Sequence, residues 1–142
     1  MILLDTNVLS EFMRPQPSAQ VVAWLDEQPA ETVWVSAISR AEIELGLALM
    51  PKGKRQMALA QAAQAMFDED FAGRCLPFDE AAAVHYARIV AARMQTGRPI
   101  SVEDAQIAAI ALAHGMVLAT RNTADFERTE GLDLVNPWAG GA

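Results

Sequence analysis

The sequence predicts an α/β fold: one domain over residues 1–142, with a central parallel sheet of about five strands flanked by helices. Short apolar segments alternate with longer stretches of helical periodicity, and no long linker separates them. Strands joined through helices form right-handed crossovers, which make the strands parallel and place helices on both faces. The length of 142 residues and the hydrophobic share of 52% suit a single globular core.

The strands and helices alternate along the chain, and proline and glycine mark the turns, as in Pro51-Lys52-Gly53 and Gly97-Arg98-Pro99. The predicted strands are Ile2–Leu4, Val33–Ser36, Cys75–Phe78, Val117–Thr120 and Leu132–Val135. Apolar residues at three- and four-residue spacing predict helices between them. These helices are Val8–Met13, Ala19–Glu27, Ile38–Met50, Gln56–Asp70, Glu80–Gln95 and Glu103–His114.

The composition limits the compartment and the class of partner. No apolar segment is long enough to cross a bilayer, and the N-terminus lacks the basic region of a secretory signal, so a cytoplasmic protein is expected. Cys75 is the only cysteine, which excludes an internal disulfide, and its apolar context predicts a buried strand residue.

The net charge of −7 argues against a protein that coats nucleic acid generally, because such proteins carry a basic face. Two small basic clusters interrupt the acidic chain, and we interpret both as solvated helix ends and loops. The first contains Lys52, Lys54 and Arg55, and the second contains Arg88, Arg93 and Arg98. The acidity therefore weakens a nucleic-acid hypothesis but does not remove it.

Four acidic residues occur where strands end or helices begin: Asp5, Glu42, Asp104 and Asp125. Ligands of open α/β sheets bind beyond the carboxyl ends of the strands, so these side chains are expected to meet there. Two carboxylates about 4 Å apart repel by about 4 kcal/mol at an effective dielectric near 20. The pattern therefore predicts a bound divalent cation.

Each acid also has a purely structural interpretation. Asp5 precedes a helix and is suited to cap it. The other three acids each follow a capping residue by three positions, which is the spacing of a capping box or a close relative. The pairs are Ser39 with Glu42, Ser101 with Asp104, and Asn122 with Asp125.

Glu42 is the acid that capping explains least well. Ile38, Glu42, Leu45 and Leu49 fall on one helical face, which predicts a carboxylate within an apolar stripe. A buried, unpaired carboxylate costs several kcal/mol or raises its pKa, so Glu42 needs a partner. Asp104 opens a helix that is apolar nearly all round, although periodicity alone does not choose it over Glu103.

Hard oxygen ligands without histidine or cysteine favour Mg²⁺ or Mn²⁺ over zinc. Such ions suit phosphodiester hydrolysis, because they bind the phosphate and lower the pKa of water. The sequence contains no glycine-rich phosphate loop, so a nucleotide cofactor is not expected. His85 and His114 lie on predicted helices and are interpreted as surface or packing residues.

Four motifs follow one another along the chain: Ile2-Leu3-Leu4-Asp5-Thr6-Asn7-Val8-Leu9, Ser36-Ala37-Ile38-Ser39-Arg40-Ala41-Glu42-Ile43, Glu103-Asp104-Ala105-Gln106-Ile107-Ala108-Ala109, and Ala119-Thr120-Arg121-Asn122-Thr123-Ala124-Asp125-Phe126. In this order they resemble the PIN-domain ribonucleases, and the resemblance extends over essentially the whole chain. Val135-Asn136-Pro137-Trp138 is similar to the VapC and FitB branch of bacterial toxin–antitoxin systems.

The resemblance implies a Mg²⁺- or Mn²⁺-dependent endoribonuclease that is the toxin of a type II pair, a homodimer, and a cognate antitoxin that covers the site. Asp5, Glu42 and Asp104 would form the acidic triad, with Asp5 and Asp104 as metal ligands. The residues that would orient carboxylates or water are Thr6, Asn7, Thr120 and Asn122. Relatives often place an aspartate at the position of Asn122, so Asn122, Asp125 or both complete the site; the charge of Asp125 favours it as the fourth catalytic residue.

Two alternatives stay open at this point. A non-catalytic module with this fold would act only through an antitoxin complex. A phosphatase of the haloacid dehalogenase kind also begins with a strand followed by an aspartate, but its usual second aspartate is Asn7 here.

The segments 8–27 and 38–50 carry more apolar residues than one core face needs, namely Leu9, Phe12, Val22, Leu25 and Leu47. An antitoxin helix and ordinary core or dimer packing both account for them.

Overall fold

Five parallel strands form the central sheet of the computed structural model, which describes residues 1–139, in the order β3-β2-β1-β4-β5. The strands are β1 (Ile2–Leu4), β2 (Val33–Ser36), β3 (Cys75–Leu76), β4 (Val117–Ala119) and β5 (Leu134–Val135). The predicted α/β class and the parallel sheet are confirmed. Residues 140–142, which the sequence assigns to the same domain, lie outside the described residues.

Seven α-helices connect or flank the strands: α1 (Thr6–Phe12), α2 (Ala19–Asp26), α3 (Ala37–Leu49), α4 (Lys54–Ala65), α5 (Glu80–Gln95), α6 (Val102–Ala113) and α7 (Thr123–Phe126). The predicted helix Gln56–Asp70 ends earlier, because its last turn is the π-helical segment Met66–Asp70. The sequence did not predict α7, since four residues are too few to show a helical period.

Alternating strand residues supply two apolar cores, one on each face of the sheet. Leu3 and Leu118 face the core under α5 and α6, whereas Leu4 and Ala119 face the core formed with α1, α3 and α4. The expectation that α6 is buried is confirmed, because six of its residues are buried. Burial of α6 fixes the position of its N-terminal turn.

The order of the strands brings the carboxyl ends of β1, β2 and β4 to one edge. β1 is central, and the chain adds β2 on one side and β4 on the other, which makes β1 the switch point of the sheet. The ladder continues one residue past β1, where the Asp5 N–H donates to the Ala119 carbonyl at 2.9 Å. The residues that follow these strands therefore share one edge of the sheet.

Two predictions about burial are wrong. Cys75 is exposed, because β3 is an edge strand with a neighbouring strand on only one side. Leu45 and Leu49 are 60% and 76% exposed, since α3 packs through Ser39, Ile43 and Leu47. Within residues 1–139, no helix combines the length and apolar character needed to cross a bilayer.

Candidate active site at the carboxyl end of the sheet

Asp5 lies at the centre of this edge and is 4% exposed. Its Oδ1 accepts a hydrogen bond from the Thr6 N–H at 2.8 Å, so Asp5 does cap α1. Its Oδ2 accepts from the Thr120 hydroxyl at 2.8 Å and from the Asn7 amide at 3.4 Å. These bonds hold the carboxylate in one orientation, and capping and a functional role are therefore compatible here.

The segment after β4 is attached to the first turn of α1 by side-chain hydrogen bonds. The Asn7 amide donates to Thr120 Oγ1 at 3.3 Å, and Asn7 Oδ1 accepts from the Arg121 N–H at 3.2 Å. Thr120 Oγ1 also accepts from the Asn122 N–H at 3.1 Å. This network positions Arg121 and Asn122 relative to Asp5.

Glu42 on α3 is half-buried and bonded to the start of α1. The Thr6 hydroxyl donates to Glu42 Oε1 at 2.8 Å and lies 2.8 Å from the Ser39 hydroxyl. The proposed Ser39–Glu42 capping box is wrong, because Ser36 caps α3 by accepting from the Ser39 N–H at 3.1 Å. Thr6 is thus the partner that Glu42 was expected to need.

Asp104 lies in the first turn of α6, where Ser101 caps the helix by accepting from the Asp104 N–H at 3.1 Å. Asp104 is half-buried, whereas Glu103 is exposed. The structure therefore distinguishes two adjacent acids that helical periodicity could not separate.

A cleft of about 480 Å³ brings Asp5, Glu42, Asp104 and Asn122 together. Asp125 is exposed and does not line this cleft, although it is close enough to Asp104 to raise the pKa of that carboxyl. Sequence analysis missed five other residues of the cleft, of which two lie on α1 and a third follows it closely. They are Ser10, Glu11, Arg14, Arg121 and Trp138.

The residues in and just after α1 carried a signal that could have found them, because Asn7, Ser10, Glu11 and Arg14 recur at helical spacing. Glu11 is 5% exposed, and its carboxylate accepts from the Ser18 N–H at 2.8 Å. This bond and the hydrogen bonds from Arg14 lower the pKa of Glu11. Glu11 is thus already paired and joins α1 to the segment that leads into α2.

Burial and neighbouring carboxylates shift the acids toward their protonated forms. Desolvation raises the pKa of Asp5 from 3.8 to about 6, the bonds from Thr120 and Thr6 oppose this rise, and the charges of Asp104 and Glu42 add to it. Desolvation also raises the pKa of Asp104, against the effect of its bond with Ser101. A bound cation would relieve both effects.

The oxygen-rich cleft suits a hard divalent cation. Within residues 1–139, no three histidine, cysteine or acidic side chains are close enough to enclose a metal. The arrangement therefore does not resemble an all-protein cage such as a zinc site. It fits Mg²⁺ or Mn²⁺, because Mg²⁺ keeps several waters and binds through one or two carboxylates.

The raised pKa of Asp5 predicts that the metal-free protein loses stability as pH rises. The folded state binds this proton more tightly than the unfolded state. The stabilisation of the fold by protonated Asp5 is therefore complete below pH 3.8 and is lost as pH rises through about 6. The total loss is about 3 kcal/mol, at 1.36 kcal/mol per unit. Urea unfolding with a chelator at pH 5 and pH 7 measures the upper part of this loss, about 1 kcal/mol, because the remainder occurs below pH 5.

The matched control is Asp5→Asn, which should unfold with a weaker pH dependence and be more stable than wild type at pH 7. Millimolar Mn²⁺ should raise the melting temperature of wild type but not of Asp5→Ala/Asp104→Ala. A pH dependence of unfolding that is unchanged in Asp5→Asn would contradict the assignment of this effect to Asp5.

The PIN domain family matches residues 2–132, and the chain therefore belongs to the PIN-domain family. This membership removes the haloacid dehalogenase alternative. Among its relatives, VapC ribonuclease Y4jK of Sinorhizobium fredii is 46% identical over 97% of this chain and 98% of its own length. Toxin FitB of Neisseria gonorrhoeae is 46% identical over 97% and 99% of the two chains.

The crystal structure of FitAcB from Neisseria gonorrhoeae superimposes with a TM-score of 0.88 at 45% identity, covering 98% of this chain and 99% of the other. The predicted resemblance to the VapC and FitB branch is confirmed by these matches.

Proposed function

We propose that this protein is a metal-dependent endoribonuclease that acts as the toxin of a type II toxin–antitoxin pair. The observation that carries the proposal is the convergence of Asp5, Glu42 and Asp104 on one cleft at the switch point of the sheet. Full-length similarity to proteins named VapC ribonuclease and Toxin FitB supports the substrate class and the biological role.

Asp5 and Asp104 are the residues that would hold the divalent cation. When bound, the cation would supply positive charge to the scissile phosphate and lower the pKa of water. Thr120, Asn7 and the Thr6 N–H keep the Asp5 carboxylate in the orientation that binding requires.

Glu42 is suited to orient the attacking water. The Thr6 hydroxyl binds Oε1, and among the described residues the second oxygen of Glu42 has no hydrogen-bond partner. That oxygen is available to accept a proton from water beside the phosphate. Arg121, whose guanidinium lies 5.1 Å from the centre of the Trp138 ring, brings positive charge to the same cleft for substrate phosphates.

Incubation of the purified protein with labelled RNA and millimolar Mn²⁺ tests this function. Internal cleavage that stops when the antitoxin is added supports both the enzymatic activity and its control. A protein that binds the antitoxin but cleaves no RNA would instead be the non-catalytic module considered above.

We also propose that the antitoxin occupies an apolar groove of about 1050 Å³ between α1, α3 and α4. Thr6, Ser10, Arg14 and Glu42 line both the groove and the acidic cleft, so the two are continuous. An apolar helix in the groove could therefore be followed by a basic side chain in the cleft.

The apolar residues suggested by the sequence are only partly available for this contact. Leu9 is completely buried in the core, while Phe12, Val22 and Leu25 are half-buried. Leu47 lines the groove, together with Met13, Ile43, Met50 and Leu59.

We expect Ala58→Glu to weaken antitoxin binding at least tenfold while RNA cleavage continues. Ala58 is exposed and lines the groove, so a glutamate there would be buried without a partner in the complex. Ala62→Glu is the matched control, since Ala62 is exposed on the same helix outside the groove. Titration calorimetry gives the antitoxin affinities of the two variants. An equal loss of affinity in both would contradict the placement of the antitoxin in the groove.

The homodimer implied by the family stays a prediction. Leu45 and Leu49 on α3 are exposed, and neither lines the groove. They supply apolar surface for a second subunit that would not compete with the antitoxin.

A further inference from the structure

Apart from the acidic cleft and the apolar groove, a pocket of about 520 Å³ lies between α5 and the segment that follows α7. Arg88, Arg93 and Arg128 line it, together with Thr129 and Glu130. We call it the arginine pocket. The chain has 18 acidic and 11 basic residues, so the convergence of three arginines creates a local charge opposite to that of the protein.

These arginines are not neutralised by protein carboxylates. Among residues 1–139, the ion pairs within 4.0 Å join Arg14 to Glu11 and Arg40 to Glu44 and Asp68. None of them involves an arginine of the pocket. The guanidinium groups of Arg88 and Arg128 retain the planar set of donors that binds phosphate oxygens. Arg93 already donates to the backbone carbonyls of Asp125 and Arg98 and therefore contributes mainly its charge.

Two buried polar atoms of the pocket residues also lack partners. Among the described residues, Arg93 Nε and Thr129 Oγ1 are buried without a hydrogen bond, and Thr129 is 9% exposed. A buried polar group without a partner costs about 1–3 kcal/mol. An anion with several acceptor oxygens in the pocket would offer hydrogen-bond acceptors to both residues.

Arg93 connects the arginine pocket to the acidic cleft. Its Nη2 donates to the Asp125 carbonyl, and its charge lies close enough to Asp104 to act on that carboxylate. A polyanion whose scissile phosphate lies in the cleft, beside a cation held by Asp104, therefore has the arginine pocket nearby for another of its phosphates. A long polymer with regularly spaced phosphates has the chemistry that both sites require.

We propose that the arginine pocket binds a backbone phosphate of single-stranded RNA away from the scissile bond. The inference rests on the proposed ribonuclease function and names a second contact for its substrate. It also changes the interpretation of the sequence cluster Arg88, Arg93 and Arg98. Only the first two line the pocket, and Arg128 completes it from a distant part of the chain.

The experiment measures the affinity of a fluorescent single-stranded RNA for Asp104→Asn protein, which removes cleavage, at several salt concentrations. Adding Arg88→Gln or Arg128→Gln should weaken binding three- to tenfold. The slope of log affinity against log salt should become shallower by about 0.7 for each lost phosphate contact. Arg98→Gln is the matched control, because it removes the same charge from an exposed arginine outside the pocket.

The outcomes separate this inference from the proposed function. Wild-type cleavage of RNA together with unchanged RNA binding by the Arg88 and Arg128 variants would overturn the proposed role of the pocket and leave the proposed ribonuclease function in place. Weaker RNA binding by those variants, together with no cleavage of RNA by the wild-type protein, would support the pocket and contradict the proposed ribonuclease function.

A parallel titration with inorganic phosphate distinguishes a free anion from the polymer. Phosphate binding that Arg88→Gln abolishes, without any change in RNA affinity, would overturn the assignment to RNA. Equal losses in the pocket variants and in Arg98→Gln would also overturn it, because they would indicate general charge attraction.

Discussion

Asp104→Asn is expected to lower the rate of RNA cleavage by about a thousandfold or more, a loss of about 4 kcal/mol in transition-state stabilisation. The substitution keeps the shape of the side chain and the Ser101 cap, which uses the backbone N–H of residue 104. It removes a metal-binding charge from the cleft. Single-turnover cleavage at saturating Mn²⁺ measures the effect.

Stability provides the control for this variant. Burial raises the pKa of Asp104, so the charged form is disfavoured in the fold and its removal should not lower the melting temperature. Loss of cleavage with equal or higher stability therefore indicates chemistry, not unfolding. Near-normal cleavage by folded Asp104→Asn would contradict the role assigned to this residue.

Asn122→Ala is expected to lower cleavage by about 10- to 100-fold, which is typical for residues that support a metal site. Asn122 lines the cleft, and its backbone N–H donates to Thr120 Oγ1. Asp125→Asn should cost less than about tenfold, because Asp125 lies outside the cleft and acts on Asp104 electrostatically.

Comparison of the two variants decides which residue completes the site. The sequence favoured Asp125 for its charge, and the neighbouring Phe126 is completely buried. The geometry favours Asn122 instead. Cleavage rates for both folded variants at saturating Mn²⁺ measure the difference, and a severely impaired Asp125→Asn beside a near-normal Asn122→Ala would restore the sequence-based choice.

The position of Asp5 and the helical turn that carries Asp104 could be predicted because local features determine them. A short buried strand ends directly before Asp5, and a serine cap with a buried apolar helix fixes the turn that carries Asp104. These features act over a few residues, so the sequence contains them in full.

The environment of Glu42 could not be predicted in the same way. Helical periodicity grouped it with Leu45 and Leu49, yet α3 packs through a different face and these two leucines are exposed. Which face of a helix is buried depends on its neighbours, and here α1 supplies the Thr6 hydroxyl that binds Glu42. Because Thr6 and Glu42 are 36 residues apart in the sequence, the helical periodicity around Glu42 does not reveal their contact.

The arginine pocket was hidden for a related reason. Its members come from α5 and from the segment after α7, and α7 itself is too short to be recognised by periodicity. Nearness in sequence grouped Arg98 with Arg88, whereas nearness in space groups Arg128 with it.

Metal-dependent cleavage of a 5′-labelled RNA by the pure protein tests the central claim most directly. The rate is measured in millimolar Mn²⁺, after chelation and after the metal is returned, beside Asp5→Asn and Asp104→Asn prepared identically. We predict cleavage that is lost and then restored in wild type, and no comparable cleavage in either variant. Equal cleavage by wild type and both variants, or cleavage that persists in the chelator, would contradict the account.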